Sequence, residues 1–317
     1  MHKIPPDGNN EKKTAGRAGN KGDAAMSRAF RAFWKSSFYS MLVAASLAAV
    51  LILTQVPGEK DPVESQASAP VSSFVAQEKD RFSLLCSLQA RKNEPPYAYF
   101  LLGLDGPARR VYVTALPPQT RLSSDGGQNR LLSDLYRAGG GSAVLSQLNR
   151  AFSLHLTRRI ALTDRSFTDF VDRLGGVTLQ IPRPLTQVDP DRDLYIRIEA
   201  GRQHFTGLLL LDYLRYTGWP NGINGQLSAG SQALAALIAQ QHCVLSLSDD
   251  DTAAELLLAG ADTDLSVMDI ERRRPLLCHL LSETPDVRPL PLSGSPADGN
   301  TAFLPDDDFA AELRRFY

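Results

Sequence analysis

The sequence predicts an α/β fold, a layered mixed sheet with helices on both faces, preceded by a single transmembrane helix. Three observations point there. Residues 38–56 run for nineteen positions without a charge. From residue 97 onward, short alternating runs take turns with segments of helical period. Residues 160–182, IALTDRSFTDFVDRLGGVTLQIP, set strand, helix, Gly-Gly turn and strand end to end. Such alternation favours a sheet covered by helices over a sandwich or a bundle. At 317 residues, 43% hydrophobic and 22% charged, the chain has the apolar mass for a large core.

The elements follow in order. Residues 1–36 carry eight Lys and Arg against Asp7, Glu11 and Asp23, a net +5, so the rest of a chain of net charge −1 carries −6. A basic tail ahead of an acidic body calls for a membrane before a nucleic acid. The run 38–56 has the length that crosses about 30 Å of hydrocarbon as a helix. Trp34, Phe38 and Tyr39 stand at its start, where aromatic rings favour the interface. The preceding positive charges predict a cytoplasmic N-terminus and an extracytoplasmic body. The run is longer than the apolar stretch of a cleaved signal peptide, and no clean A-x-A site follows it, so 37–56 reads as an uncleaved signal anchor in the cell membrane. Residues 57–80 mix Pro, Ser, Ala and charge without a period and read as a flexible tether.

The body is expected at 81–245. It opens on strands at 97–104 and 110–116, then helices at 129–137 and 142–152 joined through Gly139-Gly140-Gly141, then a strand at 158–162. Thr163-Asp164 caps the next helix, whose Phe167, Phe170, Val171 and Leu174 fall at i, i+3, i+4 and i+7. Gly175-Gly176 ends it, and 177–182 alternates as a strand, completing a βαβ-type unit. Residues 194–199 alternate again, Thr206 caps a helix through Tyr216, and a long helix runs over 226–245. Residues 246–317 read as a C-terminal extension of two helices, a short strand at 287–292 and a closing helix at 306–316, packed on the body because about 70 residues make a marginal core alone.

Most chemical signatures are absent. There is no G-x-S-x-G, P-loop, G-x-G-x-x-G or H-E-x-x-H, and His2, His155, His204, His242 and His279 show no paired spacing. Cys86, Cys243 and Cys278 have no zinc-ligand spacing and read as buried thiols, with one disulfide as the alternative. The clusters Asp249-Asp250-Asp251 and Asp306-Asp307-Asp308 each precede a helical pattern, where negative charge favours the helix start. No helix-turn-helix or basic DNA-reading patch appears, so no nucleic-acid partner is expected.

A family resemblance begins in the Gly-Gly stretch. Residues 170–177, FVDRLGGV, resemble the "lV-d-x-L-G-G-V" turn of the LytR-CpsA-Psr (LCP) family of bacterial envelope proteins. Residues 99–105 (YFLLGLD) resemble that family's opening strand, 115–121 (ALPPQTR) its "S-x-P-R-D-T" loop, and 134–140 (DLYRAGG) its "n-A-Y-x-x-G-G" segment. Residues 200–216 resemble "x-G-x-q-x-L-x-G-x-x-A-L-x-Y-x-R-x-R", and Gln232 falls where "D-x-x-R-x-x-R-Q" ends. The similarity covers residues 95–240, and its force lies in the order and spacing of the pieces.

The resemblance implies a site. Active members are phosphotransferases that move a glycopolymer from a polyprenyl-pyrophosphate carrier onto peptidoglycan, work that calls for arginines around the pyrophosphate and carboxylates on a metal such as Mg2+. This chain departs from that pattern. Pro118 and Gln119 replace the loop's Arg and Asp, Thr217 replaces the second Arg after Tyr213, and Gly225, Ser228 and Ser231 replace an acid and two arginines. What the resemblance leaves for catalysis is Arg215, which could equally be an ordinary helix-face arginine. Lipid or phosphate contacts would fall to Arg215, Gln232, Arg121, Leu208 and Leu211, and a metal to Asp105, whose alternative is a strand-end role. Arg192, Arg197 and Arg202 compensate only if the fold gathers them with Arg121. Each charge-assisted bond to phosphate is worth about 1.5–3 kcal/mol, so losing four arginines removes roughly four or more powers of ten in rate or affinity. The leading expectation is an LCP-like envelope protein that binds polyprenyl-phosphate-linked lipid, or an envelope partner, with little or no catalysis. An active transferase with a rearranged basic site is the alternative, and an attenuator-type membrane regulator a second one. The resemblance also implies a cavity for the polyprenyl tail, lined by Phe205, Leu208, Leu209, Leu210 and Leu211 with Leu234, Leu237 and Ile238. The alternative is that these apolar helices are simply sandwiched between the sheet and the C-terminal extension.

Overall fold

At the centre lies β1 (Arg81–Gln89), antiparallel to β2 (Ala98–Asp105) on one side and parallel to β6 (Arg158–Thr163) on the other. The computed structural model describes residues 74–77, 79–123, 129–192, 194–242, 258, 260–299 and 301–317. The basic tail, the expected anchor, most of the expected tether, Cys243, Asp249-Asp250-Asp251 and the expected 245/246 boundary lie outside them. The described residues belong to one unit, Ser72–Tyr317. β1 is a strand the sequence expectation omits, although Phe82, Leu84, Cys86 and Leu88 alternate with Ser83, Leu85 and Ser87. Both of its faces are buried, which blurs the polar-apolar alternation that marks a half-exposed strand.

β3 (Arg110–Leu116) continues the sheet from β2, and two C-terminal strands close its edges. These are β11 (Ala261–Thr263), antiparallel to β6, and β12 (Asp286–Pro289), parallel to β3, giving the order β11-β6-β1-β2-β3-β12. The mixed sheet is therefore as expected, while residues 261–289 are more than a packed extension: they complete the sheet. Beyond the reach of β12, the buried Ser231 hydroxyl accepts a hydrogen bond from the Ala115 N–H at 2.9 Å. A strand edge that would otherwise lose a buried partner is satisfied this way.

Helices cover both faces. The face bearing Phe82, Leu84, Phe100, Leu102 and Ile160 meets α2 (Asp164–Leu174), α4 (Gly222–Gln240) and α5 (Val267–Leu281). The opposite face meets α1 (Leu132–Phe152) and α6 (Asp307–Phe316). There the Tyr112 and Phe316 rings lie 4.3 Å apart, and the Tyr317 hydroxyl bridges Thr114 and the Leu101 carbonyl. Asp306 precedes α6 as its N-cap residue, and Asp307 and Asp308 sit in its first turn, as their position before a helical pattern predicts.

Three local differences have physical causes. Residues 129–131 pair as β5 (Asn129–Leu131) with β4 (Arg121–Ser123), so α1 starts at Leu132. The expected break in α1 is real: Gly139 and Gly140 leave helical geometry, Gly140 at φ 66°, which only glycine adopts freely. The strand after the Gly-Gly turn, β7 (Val177–Ile181), pairs with β10 (Gly201–Phe205) in a separate two-stranded sheet. The expected βαβ unit is thus corrected, because β1 and β11 already occupy both sides of β6. A further hairpin joins β8 (Leu185–Asp189) to β9 (Leu194–Ile198).

Candidate functional site

The Gly-Gly stretch positions the helix that carries Arg215. Thr163 and Ser166 form a reciprocal cap at the start of α2. Gly175, at φ 94°, ends that helix, and at Gly176 a Cβ would stand 2.4 Å from the Phe205 carbonyl oxygen. Asp172, one turn earlier, reaches across to accept a 2.6 Å hydrogen bond from the Gly207 N–H at the start of α3 (Gly207–Arg215). Thr206 adds a weaker cap through the Leu209 N–H at 3.4 Å. An acid capping the neighbouring helix fixes where α3 starts, and from there α3 runs to Arg215.

Arg215 points into a cleft of about 410 Å³ where β2 begins and β3 ends. Its walls include Tyr97, Ala115, Pro118, Gln119, Leu194, Thr217 and Gln226. Among the described residues, Arg215 is the only basic side chain lining this cleft. Its guanidinium pairs with Asp164, the first residue of α2, and lies over the Tyr97 ring with Cζ 4.6 Å from the centroid. The Tyr97 hydroxyl donates to the same carboxylate at 2.8 Å. Burial pushes the Tyr97 phenol far above its ordinary value, against the opposing pull of Arg215, so the group stays a donor. Burial likewise raises the Asp212 carboxyl, with Arg215 opposing. Cation, carboxylate and phenol are mutually satisfied, and among the described residues no nucleophile with a base beside it lines the cleft.

The other expected site residues are placed elsewhere. Arg121 pairs with Asp298, Arg197 with Glu199, and Gln232 donates to Ser228 on its own helix. None of the three lines the cleft, nor does Arg202. Asp105 accepts from the Ala108 N–H at 3.0 Å and pairs with Arg81 at 3.4 Å, which makes it a strand-end cap. Its donor set does not suit a metal: among the described residues, no three His, Cys, Asp or Glu side chains are grouped to hold one. Tyr97 and Asp164 are the partners that sequence reasoning passes over. Asp164 is visible there only as a helix cap, and its approach to Arg215, 51 residues away, has no local signal.

A second cavity, of about 310 Å³ and almost wholly apolar, lies between the sheet and helices α2, α4 and α5. Leu234, Leu237 and Ile238 line it as expected. Phe205 and Leu208 to Leu211 do not, which corrects that part of the expected lining. Leu210, Leu211 and Phe205 are buried in the main core, while Leu208 is 61% exposed. Helix α5 supplies the missing wall with Ile270, Leu276, Leu277 and Leu281. Cys86 also lines the cavity, its thiol pushed up to about 12 by burial, so it is no reactive thiolate.

The fold and site define a class: a layered α/β domain with an apolar cavity under its helices and a polar cleft at one end of its sheet. Residues 98–313, two thirds of the chain, match the model of the LytR_cpsA_psr family, and the chain belongs to that family. No curated protein matches it. A crystal structure of a proposed transcription regulator from Eubacterium siraeum DSM 15702 superposes with a TM-score of 0.69 at 17% identity, over 82% of this chain and 98% of that one. TagV of B. subtilis gives 0.59 at 20% identity, over 75% and 96%. TagT bound to LI-WTA gives 0.58 at 15% identity, over 75% and 89%.

Proposed function

We propose that this chain is a membrane-anchored, extracytoplasmic LCP protein of bacterial cell-envelope biogenesis that binds a polyprenyl-phosphate-linked lipid, or an envelope partner, with little or no catalysis. The observation that carries this is Arg215, the single basic side chain lining the cleft among the described residues, already neutralised by Asp164. A phosphate entering there must compete with a resident carboxylate for one charge-assisted contact, worth about 1.5–3 kcal/mol. The positions where the family pattern carries arginines support the same reading. Ser231 is committed to the edge of β3 and Ser228 to Gln232. The apolar cavity can hold a tail without a strong clamp, since each buried methylene contributes about 0.8 kcal/mol. That TagT has been solved with LI-WTA makes a lipid-linked envelope glycopolymer the reasonable ligand class. With Asp105 committed to Ala108 and Arg81, Mg2+ would be held chiefly by the ligand's own phosphates.

The test is lipid extraction and native mass spectrometry of the purified full chain, with a transfer assay alongside. A polyprenyl species should co-purify, and its retention should survive Arg215→Ala. A lipid-linked glycan, a peptidoglycan acceptor and Mg2+ should give no transfer above a protein-free control. Turnover that disappears in Arg215→Ala would make the chain a transferase instead. Topology is checked separately: a single cysteine placed between residues 57 and 73, after removal of the native three, should react with an impermeant reagent on intact cells. Labelling only after lysis would overturn the anchored, outward-facing arrangement.

A further inference from the structure

The polar cleft and the apolar cavity meet at one side chain. Phe100, 2% exposed on β2, is the one described residue that lines both. Its ring lies against α4 at Gly230, where a Cβ would stand 3.5 Å from the ring Cε1 and 3.6 Å from Leu214 Cδ2. Gly230 is itself buried within α4, a position where nearly any other residue would serve the helix better. Its lack of a side chain leaves room for about one methyl group beside the aromatic partition. From these observations we infer that Phe100 is a gate, and that its ring must turn toward Gly230 before one amphiphile can occupy cleft and cavity together. This rests on the lipid-binding reading above and adds to it a residue that decides which ligands bind.

The chemistry follows from the two compartments. An oxyanion alone reaches Arg215 with the gate closed, and a short prenyl alcohol alone fills the cavity. A prenyl pyrophosphate, with its head on Arg215 and its tail under α5, is excluded until the ring moves. If the open form is a minor population, the apparent affinity of the spanning ligand is reduced by that fraction, while ligands of one compartment are unaffected. The protein then discriminates by ligand length, with the cost of gating borne only by spanning molecules.

The test uses the purified full chain in one detergent and competition against a photoactivatable prenyl pyrophosphate. The competitors are inorganic pyrophosphate for the cleft, farnesol for the cavity, and farnesyl pyrophosphate for both. Phe100→Leu should bind farnesyl pyrophosphate about tenfold or more tightly than the parent, with the two half-length probes within about twofold. Gly230→Ala should do the opposite. Its methyl meets the resting ring at ordinary contact distance, so the fold is kept while the space for turning is filled. That variant reads the gate even if Phe100→Leu fails to fold. Half-length probes that compete, with farnesyl pyrophosphate unchanged in both variants, would end the gate and leave the lipid reading standing. Failure of both half-length probes on the parent protein would remove the lipid reading and the gate with it.

Discussion

At Arg215 the decisive fact is a neighbour. The guanidinium shares Asp164 with the Tyr97 hydroxyl, so a side chain that suggests phosphate binding is held in a neutral cluster. Asp164→Asn should free it: pyrophosphate affinity is expected to rise by up to about tenfold, measured by isothermal titration, with salt weakening the gain. No change would mean that Arg215 does not face the anion. Two structural residues have roles as specific. Removing the Ser231 hydroxyl leaves the Ala115 N–H buried without a partner, so Ser231→Ala should cost about 1–3 kcal/mol in a denaturant melt. Asp172→Ala deletes the acid that caps α3 and should cost about 0.5–2 kcal/mol in the same measurement.

At the scale of elements, α5 is the piece on which both the cavity and the sheet edge depend. Arg158 of β6 grips Asp269 through two nitrogens at 2.9 and 3.3 Å, and Ser266 gives the same carboxylate its hydroxyl and N–H. Those bonds, Arg158 first, hold the Asp269 carboxyl well below the usual carboxylate range. A depressed folded pKa contributes stability that is fully present above the unfolded value, about 4, and is lost as pH falls through the folded one. The thermal midpoint of the parent should therefore drop more steeply than that of Asp269→Asn as pH falls below about 4. Equal slopes would show that this contact does not tie α5 to β6.

For the whole molecule, the C-terminal residues are structural members of the central sheet. β11 and β12 form its two edges, and Tyr317 reaches back to Thr114 and Leu101 on the opposite face from α5. Removing residues 261–317 would strip both edges and bare an apolar face. The truncated chain is expected to aggregate, or to lose its cooperative unfolding transition by circular dichroism. A truncated protein that still unfolds cooperatively would mean that the first four strands suffice.

What the sequence determined by itself was local. The 3.6-residue period of Phe167, Phe170, Val171 and Leu174, the cap at Thr163 and the Gly175-Gly176 stop are all written within a few residues of one another, and the fold keeps each of them. The family motif was legible for the same reason, as a run of turns at fixed spacing. The tertiary structure decided what depends on distant partners. It placed β1 at the centre, sent β7 to β10, drew strands from beyond residue 260 to both edges of the sheet, and set Asp164 against Arg215. It also moved the cavity lining from α3 to α5, since four leucines in a row show that a helix is apolar but not which neighbour covers each side. Pairing and burial are settled by competition among all the surfaces of the chain, and that competition leaves no mark on any single stretch.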